Sequence, residues 1–243
     1  MHHPSTFPWY NRNGIVLLIL LLFSAIIFTP IFTTHYVYLD EAYQLWNRNT
    51  DAGYQMFAKH GRLLSGIYFQ KAFHYISSVH GLIYLRIISL AGWIFCSWLL
   101  FYCSGVWVKQ LNLSPLLPFL LAIACICSSP VTVYVAWASA GQIYLSFIFG
   151  LLSGHVLFLM VINPGRNKLN YVLTILLGIL ALLIYQTGFG IFILPFLLVW
   201  ISKKTINKHK PLLIAISTYF IIYLVYFFVF LIFFLLFRSN SFG

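Results

Sequence analysis

The chain carries apolar runs too long and too free of charge for the core of a soluble domain, and this constrains its fold before any motif is sought. A helix needs about 20 mainly apolar residues to cross the hydrocarbon of a bilayer. Runs near or above that length read at 14–33, 82–107, 115–134, 141–162 and 211–237, with shorter ones at 169–185 and 188–201. Backbone polar groups in hydrocarbon are satisfied inside helices, so the runs predict an all-α fold, a polytopic transmembrane helix bundle of about seven spans. Hydrophobic residues at 62% and charged residues at 7% leave nothing from which to build a separate soluble unit, and 1–243 reads as a single transmembrane domain. The run after Arg12 is too long for a signal-peptide core and lacks a small-residue cleavage site, so it reads as a retained anchor.

The formal net charge of +11 sits mainly in short links between runs. That is a topological signal rather than a nucleic-acid-binding face. With the N-terminus in the cytoplasm, Arg12, Lys109, Arg166, Lys168, Lys203, Lys204, Lys208 and Lys210 lie inside, and Arg48, Lys59, Arg62, Lys71 and Arg238 outside. Basic residues in short loops resist translocation, so the reading is an integral multi-pass protein with a cytoplasmic N-terminus. The 169–201 stretch is basic at both ends, which predicts two passes or a re-entrant hairpin turning at Tyr185-Gln186-Thr187-Gly188. Cys96, Cys103, Cys125 and Cys127 fall in apolar runs and read as small buried hydrophobes, with no disulfide or zinc framework.

Between the first two of these runs lies the one long polar loop, 34–81, and it holds every acidic residue: Asp40, Glu41 and Asp51. Leu64, Tyr68, Ala72 and Tyr75 share a helical face, which predicts one or two amphipathic interfacial helices on the outer surface. A carboxylate at that height could take a proton from a sugar hydroxyl while Lys59, His60 and Arg62 offset the charge of a phosphate leaving group. Plainer roles compete: a helix N-cap for Asp40, a turn or cap for Asp51, snorkelling to head groups for Arg62 and Lys71. Arg86, one turn into its run, either snorkels to the outer interface or pairs with Asp40 or Glu41. Gln186 either lines a pocket or simply makes the hairpin turn, and His155 reads as a hydrogen-bonded packing residue.

The Asp40-Glu41 pair after a first span, followed by the step Gly61-Arg62-Leu63-Leu64, resembles the membrane glycosyltransferases of the GT-C fold. Tyr185-Gln186 at a helix end is similar to a feature of their bacterial glucosyltransferase, GtrII-like, branch. The likeness covers the first outer segment and the general span pattern to about residue 201. The resemblance implies a polyprenyl-phosphate sugar donor, an outer-face glycan or lipid acceptor, an inverting displacement and a place in the bacterial inner membrane. It makes Asp40 the general base with Glu41 beside it, and Arg62 with Lys59 the holders of the donor phosphate. His60, Asp51, Arg86, Tyr185 and Gln186 would line the pocket. Some such enzymes need a divalent metal ion and others do not, and three acids without further ligands leave that open. Enzymes of this kind carry more helices, and often a further outer domain, so the chain reads as a fragment, a shortened homologue or an inactive remnant. Two other functions stand beside this one. A transporter or flippase component would bind the same head group without breaking a bond, and a non-catalytic partner would assemble with other membrane subunits. Transporters place ionisable residues deep in their spans, where this chain has only Arg86 and His155.

Overall fold

The computed structural model describes residues 13–33, 36–162, 168–202 and 209–240, with 236–240 as backbone alone. Arg12, His35, Arg166 and the 203–208 cluster that carries much of the expected inside charge lie outside the described residues, as does the side chain of Arg238. All regular elements among the described residues are helices. α1 (Asn13–Ile27) and α2 (Thr29–Thr33) come from the first apolar run, and α3 (Leu39–Trp46), α4 (Ala52–Ala58) and α5 (Leu63–Tyr75) from the polar loop. The rest is α6 (Leu82–Leu111), α7 (Leu117–Ile126), α8 (Ser129–Ala136), α9 (Ile143–Ile162), α10 (Lys168–Ile184), α11 (Leu194–Ile201) and α12 (His209–Asn240). Short 3₁₀ turns occupy Val79–Gly81 and Ala138–Ala140, and a longer 3₁₀ segment, Gln186–Ile193, leads into α11.

Among the described residues the expected seven spans are not reached. Three helical stretches, Val79–Leu111, Ala138–Ile162 and His209–Leu235, are long and apolar enough to cross a membrane. A fourth forms if α7 and α8, bent by 43° at their break, count as one; α1, α10 and the Gln186–Ile201 pair are shorter. Proline explains two of the interruptions. Pro30 has no N–H and its ring clashes with the preceding turn, so the first run ends its long helix at Ile27, about 22 Å from its start. Pro130 is tolerated because it sits in the first turn of a new helix, α8.

The turn expected after residue 184 is present. α10 stops at Ile184 and Tyr185 is extended, with φ −161° and ψ 124°. Beyond it the 3₁₀ segment rises about 2 Å per residue instead of about 1.5, so Gln186–Ile201 reaches about 28 Å, further than an α-helix of that length. α9 packs against both arms of this hairpin. A Cβ at Gly150 would come 3.0 Å from the Gly188 carbonyl oxygen, and one at Gly154 would run into that of Phe192. Small residues at four-residue spacing let backbones approach where lipid supplies no hydrophobic drive.

Two aromatic-rich cores follow. One joins Trp107, Phe158, Phe189, Phe192 and Phe196 with Ile222 of α12. The other packs Val16 and Leu20 of α1 on Trp93, Ile126 and Val135. Outward-facing positions are apolar too, as at Leu22, Ile26, Phe220 and Leu224, which suits lipid as the solvent. Within α9, His155 accepts the Trp107 indole N–H at 2.9 Å, the packing role expected of it. Cys96 and Cys103 are buried and Cys125 half-buried, but Cys127 at the break before α8 is exposed.

The polar loop folds into three short helices rather than one or two, and α5 buries a different face from the one expected. Phe69, Phe73 and Ile76 turn inward onto Phe57, Leu82, Leu85 and Ala138, whereas Tyr75 is 85% exposed. Phe57 and Phe69 stack with ring centroids 4.8 Å apart. Phe69 and Phe73 thus pack on protein, which fixes α5 against α4, α6 and the link after α8.

Candidate functional site

The candidate residues of the polar loop fall into two clusters. In the first, Tyr38 occupies the N-cap position of α3, so Asp40 lies in the first turn and does not cap it. Glu41 reaches back to accept the Tyr38 backbone N–H at 2.9 Å, the acidic half of a capping box. The same carboxylate accepts the Ala138 N–H and pairs with Arg86 at 2.9 Å. Arg86 also donates to the Tyr36 carbonyl at 2.9 Å and lies 3.8 Å from the centroid of the Tyr36 ring. Side-chain exposure is 2% for Arg86 and 0% for Glu41. Burial pushes the Glu41 carboxyl above its ordinary value, against the pull of the Tyr38 N–H, Arg86 and the Ala138 N–H. Of the alternatives for Arg86, pairing with Glu41 is the one realised. The cluster clamps α3 to α6 and to the link after α8.

The second cluster joins the start of α5 to the hairpin turn and to α12. Arg62, at the N-cap position of α5, donates from Nε to Gln186 Oε1 at 3.3 Å, and its guanidinium lies 4.1 Å from the centroid of the Tyr185 ring. Gln186 donates to the His60 carbonyl at 3.3 Å and to the Tyr226 hydroxyl at 2.8 Å. Tyr226 in turn donates to the Gly61 carbonyl at 3.2 Å. Gly61 has φ +79°, and a Cβ there would run into Tyr226 Oη, so glycine is required both for its backbone and for this close approach. Below, Ser65 Oγ donates to the Ile184 carbonyl and Ser146 Oγ approaches those of Ala181 and Tyr185, satisfying the open C-terminal end of α10. The terminal nitrogens of Arg62 make no hydrogen bond among the described residues. They are held in place with their charge unspent.

The remaining candidates are more open. Asp40 is half-buried and has no hydrogen bond or ion pair among the described residues. It stands on α3, which packs on α5. Lys59 is exposed, and His60 is exposed with Nδ1 2.7 Å from the Met56 carbonyl. Asp51 takes the N-cap position of α4 without capping it, and its carboxylate accepts from Gln70 at 2.7 Å. The three acids thus have separate surroundings, and among the described residues no three His, Cys, Asp or Glu side chains converge as a metal site would need. The donor set does not fit a divalent ion, and no step is routed through one.

An apolar groove of about 460 Å³ is lined by Trp93, Tyr134, Phe147, Thr187, Gly188 and Ile191 among others, and by none of the residues of the second cluster. Thr187 and Gly188 directly follow Gln186, so one turn serves both the cationic cluster and the groove. Tyr36, Ser65, Ser146 and Tyr226 were not singled out from the sequence. Each is an ordinary hydroxyl residue in or beside an apolar run, and only its distant partner reveals its role. No protein-family model, curated protein or solved structure matches the chain.

Proposed function

We propose that the chain is a membrane glycosyltransferase of the GT-C kind, moving a sugar from a polyprenyl-phosphate donor to a glycan or lipid acceptor on the outer face of a bacterial inner membrane. The observation that carries this reading is the joining of Arg62 to Tyr185 and Gln186, whose chain neighbours Thr187 and Gly188 line an apolar groove. A cation with free donors, held on the turn that also lines an apolar cleft, suits an amphiphile that has a phosphate at one end and a long hydrocarbon chain behind it. In the proposed reaction Asp40 accepts the proton of the acceptor hydroxyl. The acceptor oxygen bonds to the anomeric carbon as the carbon–oxygen bond to phosphate breaks, and polyprenyl phosphate leaves with that electron pair. Arg62 offsets the charge that develops on the leaving phosphate. Glu41 and Arg86 hold α3, and with it Asp40, in position.

The transporter alternative has less support, because His155, the ionisable group within α9, is engaged by Trp107. The partner role makes no use of the open Arg62 donors.

In the protein reconstituted into phosphatidylcholine nanodiscs, polyprenyl phosphate is expected to bind, and Arg62→Ala to weaken it about tenfold or more. Absence of binding by the unaltered protein, or equal binding by the variant, would remove the basis of the proposal. The orientation proposed with it, a cytoplasmic N-terminus, predicts labelling of Asp51→Cys by a membrane-impermeant maleimide in intact cells, in a background without the native cysteines. Protection at that position would invert the topology.

A further inference from the structure

We infer that the far end of α5 carries a second anion site, distinct from the Arg62 cluster, which holds the phosphate diester head group of an anionic membrane lipid such as phosphatidylglycerol. Arg48, Thr50, Asp51, Gln70, Lys71 and His74 line a cleft of about 570 Å³. Lys71 and His74 lie nine and twelve residues beyond Arg62, about 13 and 18 Å along the helix rise, so one ligand phosphate cannot serve both places.

Three observations identify what the cleft would take. First, its basic groups lack counter-ions. Lys71 and His74 make no hydrogen bond or ion pair among the described residues, His74 meeting only the edge of the Tyr75 ring. Arg48 donates a single bond, from Nη1 to the Ser77 carbonyl at 3.3 Å, which anchors the guanidinium and leaves its other donors open. Second, the one carboxylate in the cleft is tied by an amide rather than by a cation, Gln70 donating to Asp51 Oδ1 at 2.7 Å. Its other oxygen can accept a ligand hydroxyl. A cleft with two cations, Arg48 and Lys71, a histidine ring and one acceptor carboxylate matches a phosphate diester whose head also bears hydroxyl groups. Third, the surrounding surface points to a lipid source. Tyr75, which lines the cleft at the end of α5, is 85% exposed, as is Trp46 at the end of α3 (84%), two residues before Arg48, and exposed aromatic residues of this kind settle at head-group depth in membrane proteins. Arg48 and Lys71 would meet the phosphate there, with their hydrocarbon stems along the apolar rim.

The test uses the full chain, purified in detergent and offered phosphatidylglycerol or phosphatidylcholine, with retained lipid read by native mass spectrometry. The unaltered protein should keep phosphatidylglycerol in preference to phosphatidylcholine. Lys71→Gln with His74→Gln should weaken that retention about tenfold or more, and Lys71→Arg alone should preserve it. Both replaced side chains are exposed, so the double variant should keep its unfolding midpoint and its Arg62-dependent binding of polyprenyl phosphate. Equal retention of the two lipids, or undiminished retention in the double variant, would overturn the inference. Inorganic phosphate that binds and displaces the lipid equally well would also overturn it, since the cleft would then recognise a soluble anion.

Discussion

Glu41→Ala is expected to destabilise the protein by about 3–5 kcal/mol, because it leaves the Arg86 guanidinium in a buried site with its charge uncompensated. The loss is compounded at two backbone donors, Tyr38 N–H and Ala138 N–H, which both give their hydrogens to the same carboxylate. A buried ion pair is weak evidence of net stabilisation, so the informative comparison is with both partners replaced. Glu41→Leu with Arg86→Met removes charge and counter-charge together and should recover most of the difference, a coupling that a double-mutant cycle measures. Unfolding followed by tryptophan fluorescence in nanodiscs provides the readout. If Glu41→Ala stays within about 0.5 kcal/mol of the unaltered protein, the range of ordinary surface substitutions, the clamp on α3 has no energetic reality.

The contrast between the clamp and the Arg62 cluster shows what a sequence reveals and what it hides. Hydropathy identified the apolar runs, but it averages over a window and so passes through Pro30 and the Ser129-Pro130 step, where the helices break. Both prolines were visible in the sequence; whether each would end a helix or merely bend it depended on the packing around it. The hairpin at Tyr185 is legible because its flanks are basic at both ends and Gly188 and Gly190 break the helix at its turn. Arg62 and Gln186 each stand in a short motif, and only the family resemblance, not any local pattern, brings them together across 124 positions. Their contact depends on Ser65 and Tyr226, residues without any local signature. Arg86 had two available carboxylates one residue apart, and the choice fell to Glu41 because the α3 N-terminus places it, and not Asp40, toward the Tyr38 and Ala138 amides. The deepest-buried residues of α5, Ser65, Phe69 and Phe73, lie one position, about 100° of helix rotation, from the Leu64, Tyr68, Ala72 and Tyr75 face that the pattern turns to the membrane.

That same geometry separates the two neighbouring acids in a way that can be measured. Asp40→Asn is expected to lower sugar transfer by about 10² to 10⁴-fold, the usual range for loss of a positioned general base. The amide keeps the size of the side chain but cannot take up the acceptor proton. Because Asp40 makes no hydrogen bond or ion pair among the described residues, the substitution removes no structural contact, and the unfolding midpoint should not move. Binding of polyprenyl phosphate, which is assigned to Arg62, should persist as well. Transfer is read as radiolabelled sugar leaving a polyprenyl-phosphate donor in membranes containing the protein. Undiminished transfer by Asp40→Asn would take the base role from this residue, and a lowered unfolding midpoint would mark it as part of the scaffold instead. Glu41→Gln supplies the opposite pattern: it should shift the unfolding midpoint, and any loss of transfer should follow the loss of folded protein. Two carboxylates on consecutive residues would then have different duties, one holding the helix and the other facing the acceptor.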